Sequence, residues 1–346
     1  MVDVSQLVSK RIEITDSFEE INEYYYRHGW TDGLPIIPPT GERVEKMLSG
    51  TIKKPQDVIG ELAPNYSEAT VEKIAVNAVM AGCLSHYMPV IIAAVEAMIE
   101  EQFNLYAMVI TTHPANPLLI VNGPIRKELE INSGYNVFGQ GARANATIGR
   151  ALRLIQVNIG GGIPGKVDRA TQGSPAKFSF CIAENEEKNP WQPLHVERGF
   201  APSVSTVTML MAENPHNIQD EHSTNAQGIM TTLAGSVKAQ GSNNVFYQSG
   251  EVLLVLCPEH AATLAEGGLS KQDIRHYLWE NARIPKSEFP PERQTGRFSA
   301  FKDDALIPIT AKESDIMIIV AGGAGKHSAY CPNFGLSRSV TRQIQR

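Results

Sequence analysis

The sequence has few cysteines, and none of them lie close together. Its 346 residues include only Cys83, Cys181, Cys257 and Cys331, and there is no C-x-x-C pair. Disulfide scaffolds and zinc ribbons both need clustered cysteines, so this spacing argues against either. In a reducing compartment each cysteine is a core residue, a lone catalytic thiol, or a soft metal ligand that the fold brings to other ligands.

Long apolar runs and runs of basic residues are also missing. No stretch approaches the roughly 18–20 apolar residues of a membrane-spanning helix. The formal net charge is −6, and basic residues never form a long run, which argues against nucleic acid or a membrane as a partner. The N-terminal residues lack the basic-then-apolar pattern of a signal peptide. We therefore expect a cytoplasmic homo-oligomer that acts on a small-molecule substrate.

The nucleotide-binding signatures are incomplete. Residues 160–166, GGGIPGK, have the Gly-x4-Gly-Lys spacing of a P-loop, but Val167 stands where the motif needs Ser or Thr. No G-x-G-x-x-G follows a predicted strand, so a dinucleotide site is unsupported. The sequence therefore carries no ATP or nicotinamide signature. Its cofactor is unknown, and a transition metal is the one candidate.

Residues 68–101 contain two apolar helical patterns that meet at a short connection. In that connection, Gly82 is the residue type that ends a helix in the left-handed conformation, and Ser85 is a good N-cap for the next helix. Cys83 is therefore expected at a helix N-terminus with His86 beside it, where backbone N–H groups and the helix dipole lower the pKa of a thiol. The alternative is a small buried residue in a helix corner.

Helical patterns alternate with buried apolar runs along the chain, which predicts an α/β protein with a mixed, mostly buried sheet flanked by helices. Two subdomains are predicted. Residues 1–165 would form a helix-rich α/β half that contains the Cys83 corner, and residues 166–346 would form a second α/β half. No linker marks this boundary, so a single domain is the alternative.

A proline-rich loop and two strand ends carry candidate site residues. Asp32 lies at the apex of residues 29–40, GWTDGLPIIPPT, whose prolines fix the shape of the loop. This loop is either a wall of a binding site or a packing strap. Residues 105–124 predict two buried strands, with His113 and Asn122 at their ends, where open α/β sheets place ligands.

Two glycine-rich segments predict anion binding. Arg143 and Asn145 begin a helix directly after a glycine-rich loop, an arrangement that suits a carboxylate or phosphate, although an ordinary turn is the alternative. Lys326, His327 and Ser328 follow a predicted strand in a second glycine-rich turn, which is typical of a loop in a substrate site.

A metal site is the remaining candidate. His216 and His222 lie within a seven-residue stretch that also contains Asp220 and Glu221, and these residue types ligate transition metals. Their spacing matches no defined metal motif. Solvated loop histidines are the alternative.

Several segments together resemble a known protein group. They are GWTDGLPIIPPT, NAVMAGCLSHYMPVIIAAVEAM, TTHPANPLLIVNGP, INSGYNVFGQGARANATIGRALRL and FCIAENEE, which span most of residues 25–210. The group is bacterial and is associated with the UGSC selenoprotein-like proteins. The resemblance implies a soluble enzyme-like module with thiol or redox associations. The Sec/Cys-Gly-Ser-Cys motif of that group is absent, because Cys83 is followed by Leu84, Ser85 and His86.

Three functions from different classes follow. The first is an enzyme that acts on a small anionic or carbonyl-containing substrate through an activated Cys83 thiol, with His86 or His113 as acid/base partner. In that enzyme, Asp32, Asn122, Arg143 and Asn145 and the Lys326–Ser328 turn would bind substrate. The second is a metal-dependent lyase or hydrolase with Cys and His ligands. The third is a non-catalytic subunit of a heteromeric complex.

Overall fold

The computed structural model describes residues 7–346 and has the α/β fold predicted from the sequence. The helices are α1 (Phe18–Arg27), α2 (Gly41–Leu48), α3 (Val71–Ala81), α4 (Met88–Met98), α5 (Leu105–Ile110), α6 (Ile125–Glu128), α7 (Arg143–Asn158), α8 (Leu194–Glu197), α9 (Ala226–Ser236), α10 (Asn243–Tyr247), α11 (Pro258–Glu266), α12 (Lys271–Asn281) and α13 (Pro291–Thr295). None of the helices within residues 7–346 is both long and apolar enough to cross a membrane.

The strands form two mixed four-stranded sheets and two short ribbons. They are β1 (Val58–Leu62), β2 (Ser67–Thr70), β3 (Asn116–Asn122), β4 (Cys181–Ala183), β5 (Thr206–Ala212), β6 (His216–Gln219), β7 (Val252–Leu256), β8 (Arg283–Pro285), β9 (Leu306–Pro308), β10 (Ile316–Val320), β11 (His327–Cys331) and β12 (Val340–Gln343). The first sheet has the order β12-β5-β3-β4, and the second has the order β10-β7-β11-β6. Only the β3–β4 and β10–β7 pairs within the two sheets are parallel.

The two sheets pack face to face. Successive side chains of a strand point to opposite faces of its sheet and therefore enter different layers. In β3, Leu118 and Ile120 join the cluster between the sheets, whereas Leu119 and Val121 join the cluster of the helices α3, α4 and α7. In β7, Leu253 faces the first sheet and its neighbours in the strand face the helices α9, α11 and α12. Because each sheet carries apolar side chains on both faces, the fold has four layers: helices, sheet, sheet, helices.

The first sheet crosses the predicted subdomain boundary. Its strand β3 precedes residue 165, and β4, β5 and β12 follow it. The first predicted half also begins with six residues outside the described range. The division at residues 165 and 166 stays a prediction, since each helical layer has a hydrophobic cluster of its own while the sheet is shared.

The structure corrects one predicted strand. Residues 105–110 form the short helix α5, and only the second apolar run forms a strand, β3. Leu105, Met108 and Val109 are buried in α5, and their spacing of three and four residues is that of one helix face. His113 therefore lies in the turn between a helix and a strand, not at a strand end. Asn122 does end β3, as predicted.

Candidate functional site

The corner between α3 and α4 forms a cleft of about 370 Å³ that contains Cys83 and His86. The helix α3 ends at Gly82, whose φ of 88° is left-handed, as predicted. The Cys83 N–H donates to Ala78 O at 3.0 Å and the Gly82 N–H donates to Val79 O at 2.9 Å. These two bonds form the Schellman motif that fixes the path of the chain after a helix.

The helix after Cys83 begins later than the sequence predicts. Ser85 starts a short 3₁₀ turn that ends at Tyr87, and α4 begins at Met88 with Pro89 in its first turn. Ser85 makes no side-chain cap. The Cys83 amide is already used by the end of α3, and its thiol hydrogen-bonds to α7.

The surroundings of the Cys83 thiol oppose the activation that the sequence predicts. Burial raises the pKa of Cys83 to about 12, and the charge of Arg150 offsets this only in part. The Sγ–H donates to the Thr147 carbonyl of α7 at 3.2 Å. Low polarity around a thiol penalises the charged thiolate. Cys83 therefore lines the cleft as a residue, while its protonated thiol is buried against α7.

The proline-rich loop forms another wall of this cleft, and α7 holds it in place. Arg150 donates from Nε and Nη2 to the two carboxylate oxygens of Asp32 at 2.7 and 2.8 Å, and the side chain of Asp32 is 4% exposed. Burial acts to raise the pKa of Asp32, but the hydrogen bonds and charge of Arg150 outweigh it and lower that pKa. Asp32 therefore positions the loop, which brings Ile37 to the cleft.

The helix α2 supplies the basic side of the cleft. Thr40 caps α2, and Arg43 and Lys46 line the cleft from its exposed face. The Arg43 guanidinium donates to Pro38 O at 2.9 Å. Gly50, after α2, lies so close to Ser85 that a Cβ at this position would overlap the Ser85 carbonyl.

The charged side chains that line this cleft are of one sign. They are Arg43 and Lys46, with the exposed His86 beside them, and no Asp or Glu belongs to the lining set within the described part of the chain. The rest of the lining is apolar or small: Ile37, Met47, Val79, Gly82, Cys83, Leu84 and Ser85. A concave surface with cationic groups and an apolar wall suits a small organic anion.

The other predicted catalytic histidine lies elsewhere. His113 Nε2 is 2.8 Å from Glu213 Oε1, and its ring packs 5.6 Å from that of Phe334. His113 is not among the residues that line the cleft. The structure therefore brings together Cys83 and His86, but not His113.

The two substrate-binding residues predicted at the start of α7, after the glycine-rich loop, differ in their surroundings. Arg143 is exposed at the first turn of α7, whereas Asn145 is buried. The Asn145 side chain accepts from Asn132 N at 2.8 Å and donates to Cys181 O at 3.1 Å. Asn145 thus ties α7 to the preceding loop and to β4, and its hydrogen-bonding groups are occupied.

The predicted turn at residues 326–328 is partly a strand. Lys326 precedes β11, and its Nζ donates to the Glu221 carbonyl at 3.0 Å. His327 and Ser328 belong to β11. Ser328 is buried, and its Oγ lies 2.8 Å from Nδ1 of His260. This group belongs to the second sheet and does not reach the Cys83 cleft.

The predicted metal residues are exposed. His216 begins β6, and His222 follows that strand in a turn. Within residues 7–346, no group of three or more His, Cys, Asp or Glu side chains is placed to hold a metal ion. Nothing in the described structure therefore supports the metal-dependent alternative.

A polar network that the sequence analysis did not assemble lies at the carboxyl ends of β3 and β4. The Glu184 carboxylate accepts from Asn122 Nδ2 at 2.6 Å, from Leu194 N at 2.8 Å and from Asn189 Nδ2 at 2.8 Å. Burial raises the pKa of Glu184, although the charge of Lys271 and these hydrogen bonds oppose it. The network anchors the segment after β4 on the strand ends.

A second carboxylate extends this network. Glu186 Oε1 accepts from Gly123 N at 2.7 Å and lies 3.0 Å from Arg126 Nε. His195 is fully buried, with its Nδ1 3.8 Å from the same oxygen. The acidic run after β4 is the signal that could have pointed here, since polar residues at the carboxyl ends of parallel strands converge.

Comparisons with known proteins add no assignment. No protein-family model matches the chain, and neither the curated proteins nor the solved structures contain a match. The resemblance to the UGSC-associated group stays a prediction.

Proposed function

We propose that the Cys83 cleft binds a small carboxylate compound that carries a carbonyl group, and that the protein is an enzyme acting on this compound through the Cys83 thiol. The observation that carries the proposal is the lining of the cleft, where Arg43 and Lys46 lie together with Cys83 and His86 and no acidic residue belongs to the described set. The cationic side chains would attract and orient the carboxylate. The apolar wall would hold the carbonyl end.

The chemistry proposed for Cys83 is addition of its thiol to the carbonyl carbon. The S–H bond and the π bond of the carbonyl break, a bond forms between Sγ and the carbonyl carbon, and the thiol proton ends on the carbonyl oxygen, so the step needs no oxidant or reductant. Because the pKa of Cys83 is about 12, a base must remove the proton as the bond forms. His86 is the candidate base within the cleft lining. A thiolate of high pKa is intrinsically a strong nucleophile once formed.

Thiol chemistry also bears on where the protein works. All four cysteines are free and buried, which agrees with the cytoplasmic location and the reducing compartment that the sequence predicts. It also agrees with the thiol association that the resemblance to the UGSC-associated group implies.

Native mass measurement tests the predicted homo-oligomer, and a different protein co-purifying in fixed ratio would favour the heteromeric alternative.

The binding step is tested by calorimetric titration with pyruvate and with pyruvamide, its neutral isostere. We expect pyruvate to bind more tightly and its affinity to fall with ionic strength. The double variant Arg43→Gln/Lys46→Gln should bind pyruvate about tenfold more weakly, since each exposed ion pair is worth about 0.2–1 kcal/mol. The control Lys54→Gln/Arg169→Gln removes the same charge outside the cleft, and both of its residues are exposed. Equal weakening in both double variants contradicts a cleft site.

The addition step is tested by NMR with pyruvate labelled with ¹³C at the carbonyl carbon. The wild-type protein should convert part of the carbonyl signal into that of a tetrahedral carbon, and Cys83→Ala should not. Cys181→Ala is the matched control, because Cys181 is also buried and free. An adduct that persists in Cys83→Ala would show that Cys83 is not the nucleophile.

A further inference from the structure

Ile37 is the most exposed apolar residue in the lining of the Cys83 cleft. It is 44% exposed, whereas Met47 and Val79 in the same lining are each 4% exposed. Leu84 lies between these values and is half-buried. Ile37 is therefore the apolar side chain of the cleft that a bound molecule can cover to the largest extent, and ligand sites commonly gain affinity from such contacts.

The loop that carries Ile37 is held against three helices. The Ile37 N–H donates to Met80 O in the last turn of α3 at 3.2 Å, and Arg43 of α2 donates to Pro38 O at 2.9 Å. The buried ion pair described above ties the start of the loop to α7. An ideal Cβ on Gly82 would be 4.0 Å from Ile37 Cγ1, so the two residues are in contact. A side chain on a fixed backbone costs little ordering when a ligand packs against it.

The cleft is larger than pyruvate needs. Its volume is about 370 Å³. Pyruvate has six heavy atoms, and it would fill at most about half of this volume even if each atom took the roughly 30 Å³ that a water molecule occupies in the liquid. A substrate that fills the cleft therefore carries a side chain longer than the methyl group of pyruvate.

The charges of α2 suit a ligand with a single negative charge. Arg43 and Lys46 line the cleft, but Glu42 and Glu45 lie on the same helix outside the lining set. These two carboxylates offset part of the attraction that the two cations exert on an anion. A second carboxylate on the ligand would also have to leave water for a surface that includes Ile37, and this desolvation is costly. An apolar side chain meets no such cost.

We propose that the substrate of the Cys83 cleft is a 2-oxo monocarboxylic acid with an aliphatic side chain, and that Ile37 is the residue that selects this side chain. The inference rests on the proposed function and extends it by naming the part of the substrate beyond the carbonyl group. The carboxylate would lie beside Arg43 and Lys46, and the aliphatic side chain would pack on Ile37. Pyruvate would be a small and weakly bound member of this class.

Calorimetric titration of the wild-type chain with three 2-oxo acids tests the class of substrate. The compound 4-methyl-2-oxopentanoate should bind at least tenfold more tightly than pyruvate, because its additional carbons leave water on binding. The compound 2-oxoglutarate is of nearly the same size but has a charged side chain, and it should bind no more tightly than pyruvate. Equal affinity for pyruvate and 4-methyl-2-oxopentanoate, or tightest binding of 2-oxoglutarate, would overturn this inference and leave the proposed function standing. Absence of saturable binding for all three would overturn both.

A variant then tests the role of Ile37. Ile37→Ala should weaken the binding of 4-methyl-2-oxopentanoate at least fivefold and change that of pyruvate less than twofold, since only the longer side chain reaches the missing atoms. Leu34→Ala is the matched control, because Leu34 lies in the same loop, is 46% exposed and is outside the cleft lining. Both affinities should stay within twofold of wild type in this control. Unchanged binding of 4-methyl-2-oxopentanoate in Ile37→Ala, or an equal loss in Leu34→Ala, would overturn the assignment.

Discussion

At the scale of single residues, the surroundings of Cys83 determine its reactivity. Burial raises the pKa of this thiol to about 12. Iodoacetamide reacts with the thiolate, so we predict very slow labelling of Cys83 in the native protein at neutral pH. The labelling rate should rise about tenfold per pH unit between pH 7 and 10, because the thiolate fraction does. Mass spectrometry of the peptide that contains Cys83 measures both.

The control for that labelling is the unfolded chain in denaturant, where Cys83 should react with the ordinary pKa of about 8.5. Fast native labelling with a plateau below pH 8 would mean an activated thiol and would contradict the environment described here. The high resting pKa is compatible with catalysis only if a base acts together with the substrate. The pH profile of labelling therefore reports on the free protein alone.

Asp32 and Arg150 provide the second prediction for single residues. Arg150→Gln leaves the Asp32 carboxylate buried without its partner, and removing one member of a buried pair costs about 3–5 kcal/mol. We expect a loss of about 3 kcal/mol in the free energy of unfolding, measured by urea denaturation. Arg27→Gln is the matched control, since Arg27 pairs with Glu23 at the surface and its side chain is 74% exposed. That change should cost less than about 1 kcal/mol. Similar losses in both variants would contradict a structural role for the buried pair.

At the scale of elements, the end of α3 sets the geometry of the cleft. Gly82 has a φ of 88°, and a Cβ there would meet only ordinary contacts, the nearest at 3.7 Å. The left-handed backbone conformation alone should therefore make Gly82→Ala destabilising, by about 1 kcal/mol in the free energy of unfolding. Gly235 in α9 has no neighbour within 4 Å of its ideal Cβ and no positive φ. Gly235→Ala should stabilise the protein by about 0.5–1 kcal/mol.

Thermal or urea unfolding of the two alanine variants measures this difference. Opposite signs are the expected outcome, because one glycine is needed for its backbone conformation and the other is not. If Gly82→Ala were neutral or stabilising, the left-handed end of α3 would be wrong. The position of Cys83 in the cleft depends on that end.

Secondary structure could be predicted from the sequence where the pattern was long or capped. The apolar stripe of α7 has helical spacing, and Ser17 and Thr40 are residue types that favour the N-cap position. The strands β7 and β10 are short runs of apolar residues. The six-residue helix α5 was predicted as a strand because a short apolar run fits both periods. These residues form a helix because of their packing in the first core cluster, and local sequence does not reveal that packing.

The candidate site could be predicted only in part, for a similar reason. Cys83 and His86 are near neighbours in the chain, so their meeting in one cleft was predictable. The burial that raises the pKa of Cys83 and its bond to Thr147 depend on α7, which lies 64 residues further along the chain. The contact between Asn122 and Glu184 spans 62 residues. Contacts of this kind depend on strand order, which no single segment specifies.

At the scale of the whole molecule, His195 couples stability to pH. Burial lowers the pKa of His195, with the charge of Glu186 acting in the opposite direction. The unfolded chain, whose His has a pKa near 6.5, therefore binds a proton more readily than the folded one. The contribution of His195 to stability is present above about pH 6.5 and is lost as pH falls through the lowered folded pKa.

We therefore predict that His195→Gln reduces the loss of stability below pH 6.5, by at most about 1.4 kcal/mol per pH unit for one proton. Urea denaturation at several pH values measures the slope. Glu184 contributes with the opposite sign, because its raised pKa favours the folded state as pH falls, so only the difference between variant and wild type isolates His195. His222→Gln, at an exposed histidine in the turn after β6, is the matched control for the loss of a histidine. Equal slopes in wild type and His195→Gln would contradict this coupling.

The most direct measurement of the role of the Cys83 cleft is a crystal structure of the protein with pyruvate bound. We predict electron density for pyruvate in the cleft, with its carboxylate beside Arg43 and Lys46 and its carbonyl carbon joined to Cys83 Sγ. Pyruvate bound elsewhere would contradict the proposed function, as would an empty cleft at concentrations that saturate the protein in solution.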